Sequence, residues 1–410
     1  VDLLVVGRFG STSGLSGVST GSQVLNLVTF VVTQLAMGIT VLIARYLGEK
    51  KEEQIGSIIG GGTVVFAAIS LVLFVIMVGF ARPIAVLMQA PEEAVGLTAA
   101  YIRICGAGIF FIVAYNVLSA IFRGLGDSNS PLLFVFVACI VNVVGDLVLV
   151  AGLGMDAMGA ALATVFAQAL SVVFAIVRLV KKGLPFTITG YDFRWNPQCG
   201  KFLQIGLPLA LQECLTQGSF LALCAFVNRL GLEASSGYGV ACKIVNFAML
   251  IPGALMQSTS SFVSQNVGAG EQKRAKKAMF TGIGIGLLVG CFAFSLVFFR
   301  GDLLAGIFSA DAAVVQRGYE YLKGFAPETL LTAVLFSMMG YFNGNGKTVW
   351  VMLQGLIQTL LVRLPFAYYM SIQPDASLTN IGLAAPISTA VGIVLNVAYF
   401  LYLEHAAKRS

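Results

Sequence analysis

The sequence predicts an all-α polytopic membrane protein of two six-helix bundles, related by a pseudo-two-fold axis along the membrane normal, with the first helix largely missing. Three observations lead there. Only 11% of the 410 residues are charged and 58% are hydrophobic, with a mean hydropathy of +0.89. A soluble domain carries about 25% charged residues, so this chain has too little solvating surface to be soluble or disordered. Charge-free runs separate Arg8 from Arg45, Glu53 from Arg82, Lys243 from Glu271 and Asp375 from Glu404. Each exceeds the roughly 20 residues that take a helix across a bilayer, whereas barrel strands would show short alternating segments. The third observation is an internal repeat, set out below.

Taken in order, apolar spans fall at 16–45, 57–80, 96–122, 131–152, 157–180, 202–228, 237–265, 278–299, 314–342, 348–372 and 379–403. They follow an apolar stub at Val1–Val6. The chain opens on Val without a basic leader, so no signal peptide is expected, and it reads as starting inside a helix. Basic residues sort by connection. Arg45, Lys50, Lys51, Arg123, Arg178, Lys181, Lys182, Arg194, Lys201, Lys273, Arg274, Lys276, Lys277, Lys347, Lys408 and Arg409 lie on alternate connections. The positive-inside rule places this richer set, and the C-terminus, in the cytoplasm. The net charge of +6 is thereby a topology signal, and it calls for no nucleic acid or acidic partner.

The polar segment KKGLPFTITGYDFRWNPQCGK divides the chain. The expected organisation is an N-terminal lobe at 1–180, a cytoplasmic connection at 181–201 and a C-terminal lobe at 202–410. The lobes match at an offset of 220: Leu35 with Leu255, Gly48 with Gly268, Tyr101 with Tyr321, Phe122 with Phe342, Gly124 with Gly344 and Gly126 with Gly346. Arg103 meets Lys323 within a shared Tyr-aliphatic-cation triplet. Self-similarity over such a length marks a repeat architecture. Six helices per unit is an even number, so the repeats share one orientation, and a substrate path between the halves is expected.

Chemistry is limited by composition. One histidine, His405, sits in the terminal tail, and seven cysteines are scattered without metal-binding spacing. Their odd number argues against a disulfide framework. The informative residues are those ionisable within helices, because each is costly unless paired or hydrated. Asn142 and Asp146 are four apart and share one helix face. With Thr164 and Asp2 they offer oxygen ligands to a small hard cation, sodium or a proton rather than a divalent metal. The alternative is that Asp146 only hydrogen-bonds a neighbouring helix. In the second half stand Glu213, Lys243, Glu328 and Arg363. Glu213 reads either as a second coupling or substrate-facing carboxylate or as the ion-pair partner of Lys243 or Arg363. Glu328, after Pro327, reads as a structural or gating residue near the outer end of its helix. Pro208, Pro252, Pro327 and Pro365 fall inside predicted helices, and Pro208 is expected to bend its own.

The motifs VDLLVVGRFG, LIARYLGEKK, FRGLGDSNSP before NVVGD, GLGMDAMGAALATV, GLPLALQE, VSQNVGAG and YFNGNGK, in this order, resemble the multidrug and toxic compound extrusion (MATE) family, in its bacterial NorM/DinF-like branch. The resemblance covers essentially the whole chain. It implies a twelve-helix fold of two six-helix lobes in a bacterial plasma membrane, monomeric and in contact with membrane lipid. The implied activity is export of cationic amphipathic compounds in exchange for sodium or protons, with no cofactor beyond that ion. Asp2, Asn142, Asp146 and Thr164 match the family's first-lobe cation site, and Glu213 matches a seventh-helix Glu used in second-lobe coupling. The tenth-helix Asp of some members has no clear counterpart, Glu328 being shifted. Competing readings are a lipid-linked oligosaccharide flippase, which tends to need a basic cavity that only Lys243 and Arg363 could supply, and a polytopic membrane enzyme. The latter would want paired acidic motifs or a membrane-face histidine, and neither is visible.

Overall fold

A computed structural model describes residues 2–182, 187–309 and 311–409, excluding the side chains at 232, 408 and 409. The start of the predicted stub at Val1 and positions 183–186 of the central connection lie outside the described residues. The chain divides into two compact units, Val1–Ala210 and Leu211–Ser410. The first holds α1 (Asp2–Phe9), α2 (Thr12–Gly48), α3 (Ile55–Gly79), α4 (Ala81–Leu87), α5 (Glu92–Ala107), α6 (Ile109–Gly124), α7 (Asn129–Asp146) and α8 (Asp156–Lys181). Helix α9 (Pro197–Asn228) runs across the division. The second unit continues with α10 (Leu232–Gly268), α11 (Gln272–Gly306), α12 (Ala312–Phe325), α13 (Glu328–Gly344), α14 (Thr348–Leu356), α15 (Leu364–Ser371), α16 (Leu378–Gly382) and α17 (Ala384–Arg409). π-helical segments extend α7 over Leu147–Gly152 and join α14 to α15 over Ile357–Arg363.

Among the described residues, nine helices are long and apolar enough to cross a membrane, and two bent pairs raise that to eleven. These correspond to the eleven predicted spans, with two corrections. The spans at 96–122 and 314–342 are not single helices. The first bends by 54° between α5 and α6, and the second by 47° between α12 and α13. Pro327 has no N–H to continue a helix and stands at the N-cap of α13. At the first bend, a Cβ on Gly108 would overlap Val165 of α8. Large apolar side chains remain exposed along the outside, such as Leu132, Phe136, Phe166 and Val180. On a membrane protein this is the surface offered to lipid.

Each unit repeats the other's construction. The bounds of α2 and α10 correspond residue for residue at the offset of 220. A non-helical residue at Phe80 (φ −113°, ψ 21°) recurs at Arg300 (φ −133°, ψ 25°). Thr40 Oγ1 donates to the Ala120 carbonyl at 2.9 Å, and Ser260 Oγ to the Gly340 carbonyl at 3.1 Å. The helices meet this closely because α6 and α13 carry glycine at the contact. A Cβ on Gly124 would lie 2.9 Å from the Ile43 Cβ, and one on Gly344 2.7 Å from the Val263 Cβ. Small residues serve here because backbone approach, rather than hydrophobic exclusion, drives helix association in lipid.

The division falls at Ala210, inside α9, and packing explains its position. Asp192 accepts from Ser57 Oγ at 2.7 Å, and Asn196 Nδ2 donates to the Ser57 carbonyl at 2.9 Å. Lys201 Nζ donates to the Tyr46 hydroxyl at 2.9 Å, and Phe202 stacks on Phe66. The described part of the connection and the first turns of α9 are therefore built into the first unit. The glycines of α3 make room for them, since a Cβ at Gly60 would collide with Asp192.

Two expectations follow from this packing. Gly124→Val and Gly344→Val should each lower stability by about 1–3 kcal/mol, seen as a lower unfolding midpoint in mild detergent, while Gly190→Val, where a Cβ meets nothing within 4 Å, should not. The second concerns Asp127, in the turn between α6 and α7. Partial burial works to raise its pKa, but hydrogen bonds from Lys182 and Ser130 outweigh this and hold it at about 2. The folded value lies below the unfolded value of about 3.9, so its contribution is complete above about pH 3.9 and fades as pH falls towards about 2. Asp127→Asn should therefore lose stability at neutral pH, modestly because Lys182 is half exposed. Its deficit against the unaltered chain should close on acidification.

Candidate functional site

In the first unit, three helices bring four polar groups to one place. α7 presents Asn142 and Asp146 one turn apart, and the helix changes to π-helical geometry at the next residue. Such a change often accompanies a functional position. α8 supplies Thr164 and α1 supplies Asp2. Asn142 Nδ2 donates to Thr164 Oγ1 at 3.3 Å, and Thr164 Oγ1 donates to Asp2 Oδ2 at 2.9 Å. Asp146 is fully buried, and neither carboxylate oxygen has a hydrogen-bond partner among the described residues. Asp2 is its acidic neighbour. The four residues singled out in the sequence thus share one site.

Two further residues line it that the sequence did not mark as functional. Tyr101 and Cys105 of α5, both buried, interact with each other; both lie within electrostatic reach of Asp2, and Tyr101 also interacts with Thr164. A signal for Tyr101 was present in the repeated triplet. Its counterpart Tyr321 is also buried and stands near Glu328 and Arg363. In both triplets the Tyr faces inward, while Arg103 and Lys323 are exposed. Cys105 gave no signal, because an apolar context is ordinary for a free cysteine.

The donor set consists of two carboxylates, an amide and a hydroxyl. These are hard oxygens suited to a proton or a small monovalent cation. Among the described residues, no group of three or more His, Cys, Asp and Glu side chains forms a metal-binding cluster. A buried carboxylate without a partner is expensive, so an arriving cation or proton finds an uncompensated charge to neutralise.

The second unit solves the same problem with a cation. Glu328 opens α13 at the bend, and Arg363 closes the π-helical segment before α15. Arg363 Nη2 lies 3.9 Å from Glu328 Oε1, which also accepts from Thr389 Oγ1 at 2.8 Å. Gln358 donates to Thr389 at 3.0 Å, Gln354 to Gln358 at 2.6 Å and Arg363 Nε to Ser388 at 3.3 Å. The placement of Glu328 near an outer helix end is corrected: it sits at the break between two helical segments and is only 4% exposed. The suggested pairing of Glu213 with Lys243 or Arg363 does not form. Glu213 accepts from Gln217 at 2.7 Å, Lys243 is exposed with its ammonium over the Phe308 ring at 5.6 Å, and Arg363 is taken by Glu328. Spacing along a helix shows which residues share a face but not which neighbour that face meets, and Thr389 and Gln358 went unmarked for the same reason. Pro365 lies, as expected, inside a continuous helix, Thr348–Ser371, just after its π-helical segment.

A family model described as MatE matches residues 1–148 and 208–369. The probable multidrug resistance protein YoeA of Bacillus subtilis (strain 168) is 23% identical over 98% of this chain and 89% of its own length. The multidrug export protein MepA of Staphylococcus aureus (strain NCTC 8325 / PS 47) is 25% identical over 87% of this chain and 80% of its own. In structure, the chain resembles an outward-facing multidrug resistance MATE family transporter of the MOP superfamily, with a TM-score of 0.94 at 21% identity, covering 100% of this chain and 92% of that one. At that identity the likeness speaks to the fold.

The buried pair supports a stability test. Arg363→Met alone leaves Glu328 buried without its cation and should cost about 3–5 kcal/mol. Adding Glu328→Leu should recover most of that loss. Unfolding of the single and double variants in detergent measures both.

Proposed function

We infer that this chain, which belongs to the MatE family, is a secondary-active antiporter that exports cationic amphipathic compounds in exchange for sodium or protons by alternating access. One observation carries the reading. Asp146 is buried beside a second acid, Asp2, with neither carboxylate oxygen hydrogen-bonded among the described residues. Two neighbouring carboxylates in an apolar bundle repel one another, and a single cation or proton relieves that repulsion. A ligand shifts a conformational equilibrium only by its differential affinity for the two states. Asp2 and Thr164 come from different helices than Asn142 and Asp146, so helix movement changes the site's affinity for its ion. The multidrug relatives support a drug-sized substrate.

The coupling ion is sodium in this reading, because the amide and hydroxyl oxygens of Asn142 and Thr164 add ligands that a proton would not need. Glu328 and Arg363 form a structural pair at the bend of the second unit, and Glu213, within the membrane-spanning part of α9, accepts from Gln217 with no cation partner among the described residues. In this reading the protein is a monomer in a bacterial plasma membrane, and the distribution of basic residues supports a cytoplasmic C-terminus. It is not an enzyme in this reading. A lipid-linked oligosaccharide flippase is less well supported, since Glu328 offsets Arg363 and a diphosphate would be left with Lys243.

Asp146→Asn and Asp2→Asn should each cut ion-driven efflux of a cationic dye by about 10–100-fold while leaving folding intact. Normal dye resistance in cells carrying Asp146→Asn would sink the site. Proteoliposomes given a sodium gradient alone or a proton gradient alone decide the ion, with efflux expected under sodium.

A further inference from the structure

We propose that Asp156 is a positioning residue that clasps the turn between α1 and α2 onto the start of α8, and so sets where Asp2 stands against Thr164. Its consequence for transport rests on the cation-site reading above. The clasp itself does not.

Four observations converge on it. Asp156 adopts a left-handed backbone, φ 51°, a conformation that favours glycine and is costly for other residues. What the side chain does there explains why an acid occupies it. Its carboxylate accepts from the Ser11 backbone N–H at 3.4 Å and from the Ser11 hydroxyl. Ser11 is in turn the N-cap of α2, its Oγ accepting from Gly14 N–H at 2.9 Å. The flanking residues are glycines, and a Cβ would come within 2.6 Å of Asp156 Oδ1 at Gly10 and would overlap the carboxylate at Gly14.

The geometry links this contact to the site. α1 rises from Asp2 to the turn at Gly10, and α8 runs back from Asp156 to Thr164. From Asp2 to the held Ser11 is nine residues and from Asp156 to Thr164 eight, similar lengths of about 12 Å at the helical rise. With Ser11 held on Asp156 at one end, similar lengths bring Asp2 close to the level of Thr164 at the other, where the 2.9 Å hydrogen bond forms. The turn and the hydroxyl are thus two fixed points of one short helix.

The fold itself does not demand the clasp, as the repeat shows. At the offset of 220 the second unit has Leu230, Gly231 and Ala234 in place of Gly10, Ser11 and Gly14. Its turn is closed within itself, Ser235 Oγ donating to Asn228 Oδ1 at 2.6 Å. The residue corresponding to Asp2 is Ala222. The acid clasp occurs in the unit that has an acid at this position of its first helix.

The test uses the full chain reconstituted in liposomes. Asp156→Ala should speed hydrogen exchange of the 2–10 amides relative to those of α8, because a helix freed at one end opens more often. It should also raise the half-saturating concentration of the driving cation about tenfold, with that of the dye unchanged. Asp156→Asn keeps an acceptor for Ser11 and should restore most of both. Ser11→Ala probes the contact from its other side, so the proposal stays testable if Asp156→Ala folds poorly, and combining the two should add nothing. Unchanged exchange across 2–10 in both single variants overturns the clasp. Faster exchange with unaltered cation dependence, where Asp2→Asn does abolish coupling, overturns the positioning role. If Asp2→Asn leaves coupling intact, the cation site is what fails, and the exchange result still decides the clasp.

Discussion

A carboxylate buried in an apolar bundle with both oxygens unpartnered costs several kcal/mol, and at Asp146 this is the cost around which the first unit is arranged. Nothing within α7 offsets it. Asp2 of α1 bears on it directly, and Asp2 is in turn held by Thr164 of α8 and faced by Tyr101 of α5. The site therefore exists only when those helices are packed together. Any movement of one of them alters the electrostatic environment of the acid.

The second unit shows what the same scaffold does when the cost is met internally. Tyr321 occupies the place of Tyr101, yet the acid beside it, Glu328, faces Arg363 and accepts from Thr389. That cluster holds one negative and one positive charge. No Lys or Arg ion pair to Asp2 or Asp146 forms among the described residues of the first unit. One framework thus carries two electrostatic outcomes, a pair of neighbouring acids in the first unit and an acid facing a cation in the second.

Close backbone approach is the other recurring device. Gly124 and Gly344 let a hydroxyl on the facing helix reach a carbonyl one turn earlier on theirs, and Gly60 lets the central connection settle against α3. In lipid, packing and interhelical hydrogen bonds drive association, so a side chain at these positions removes both at once. The same logic explains the glycines flanking Ser11, where the approaching group is a carboxylate.

The sequence by itself determined the membrane class, the eleven apolar spans, the 220-residue repeat and the pairing of Asn142 with Asp146 on one helix face. All of these follow from composition or from spacing along a single helix, which are local properties. It also held the clue to Tyr101, in a triplet whose repetition was visible before its orientation was. Tertiary structure decided the rest: that Arg363 meets Glu328 and not Glu213, that two spans bend at Gly108 and Pro327, that the central connection belongs with the first unit, and that Asp156 reaches Ser11. These are contacts between segments distant in the chain. Helical periodicity shows which side chains share a face, but the partner of that face is set by how the helices cross.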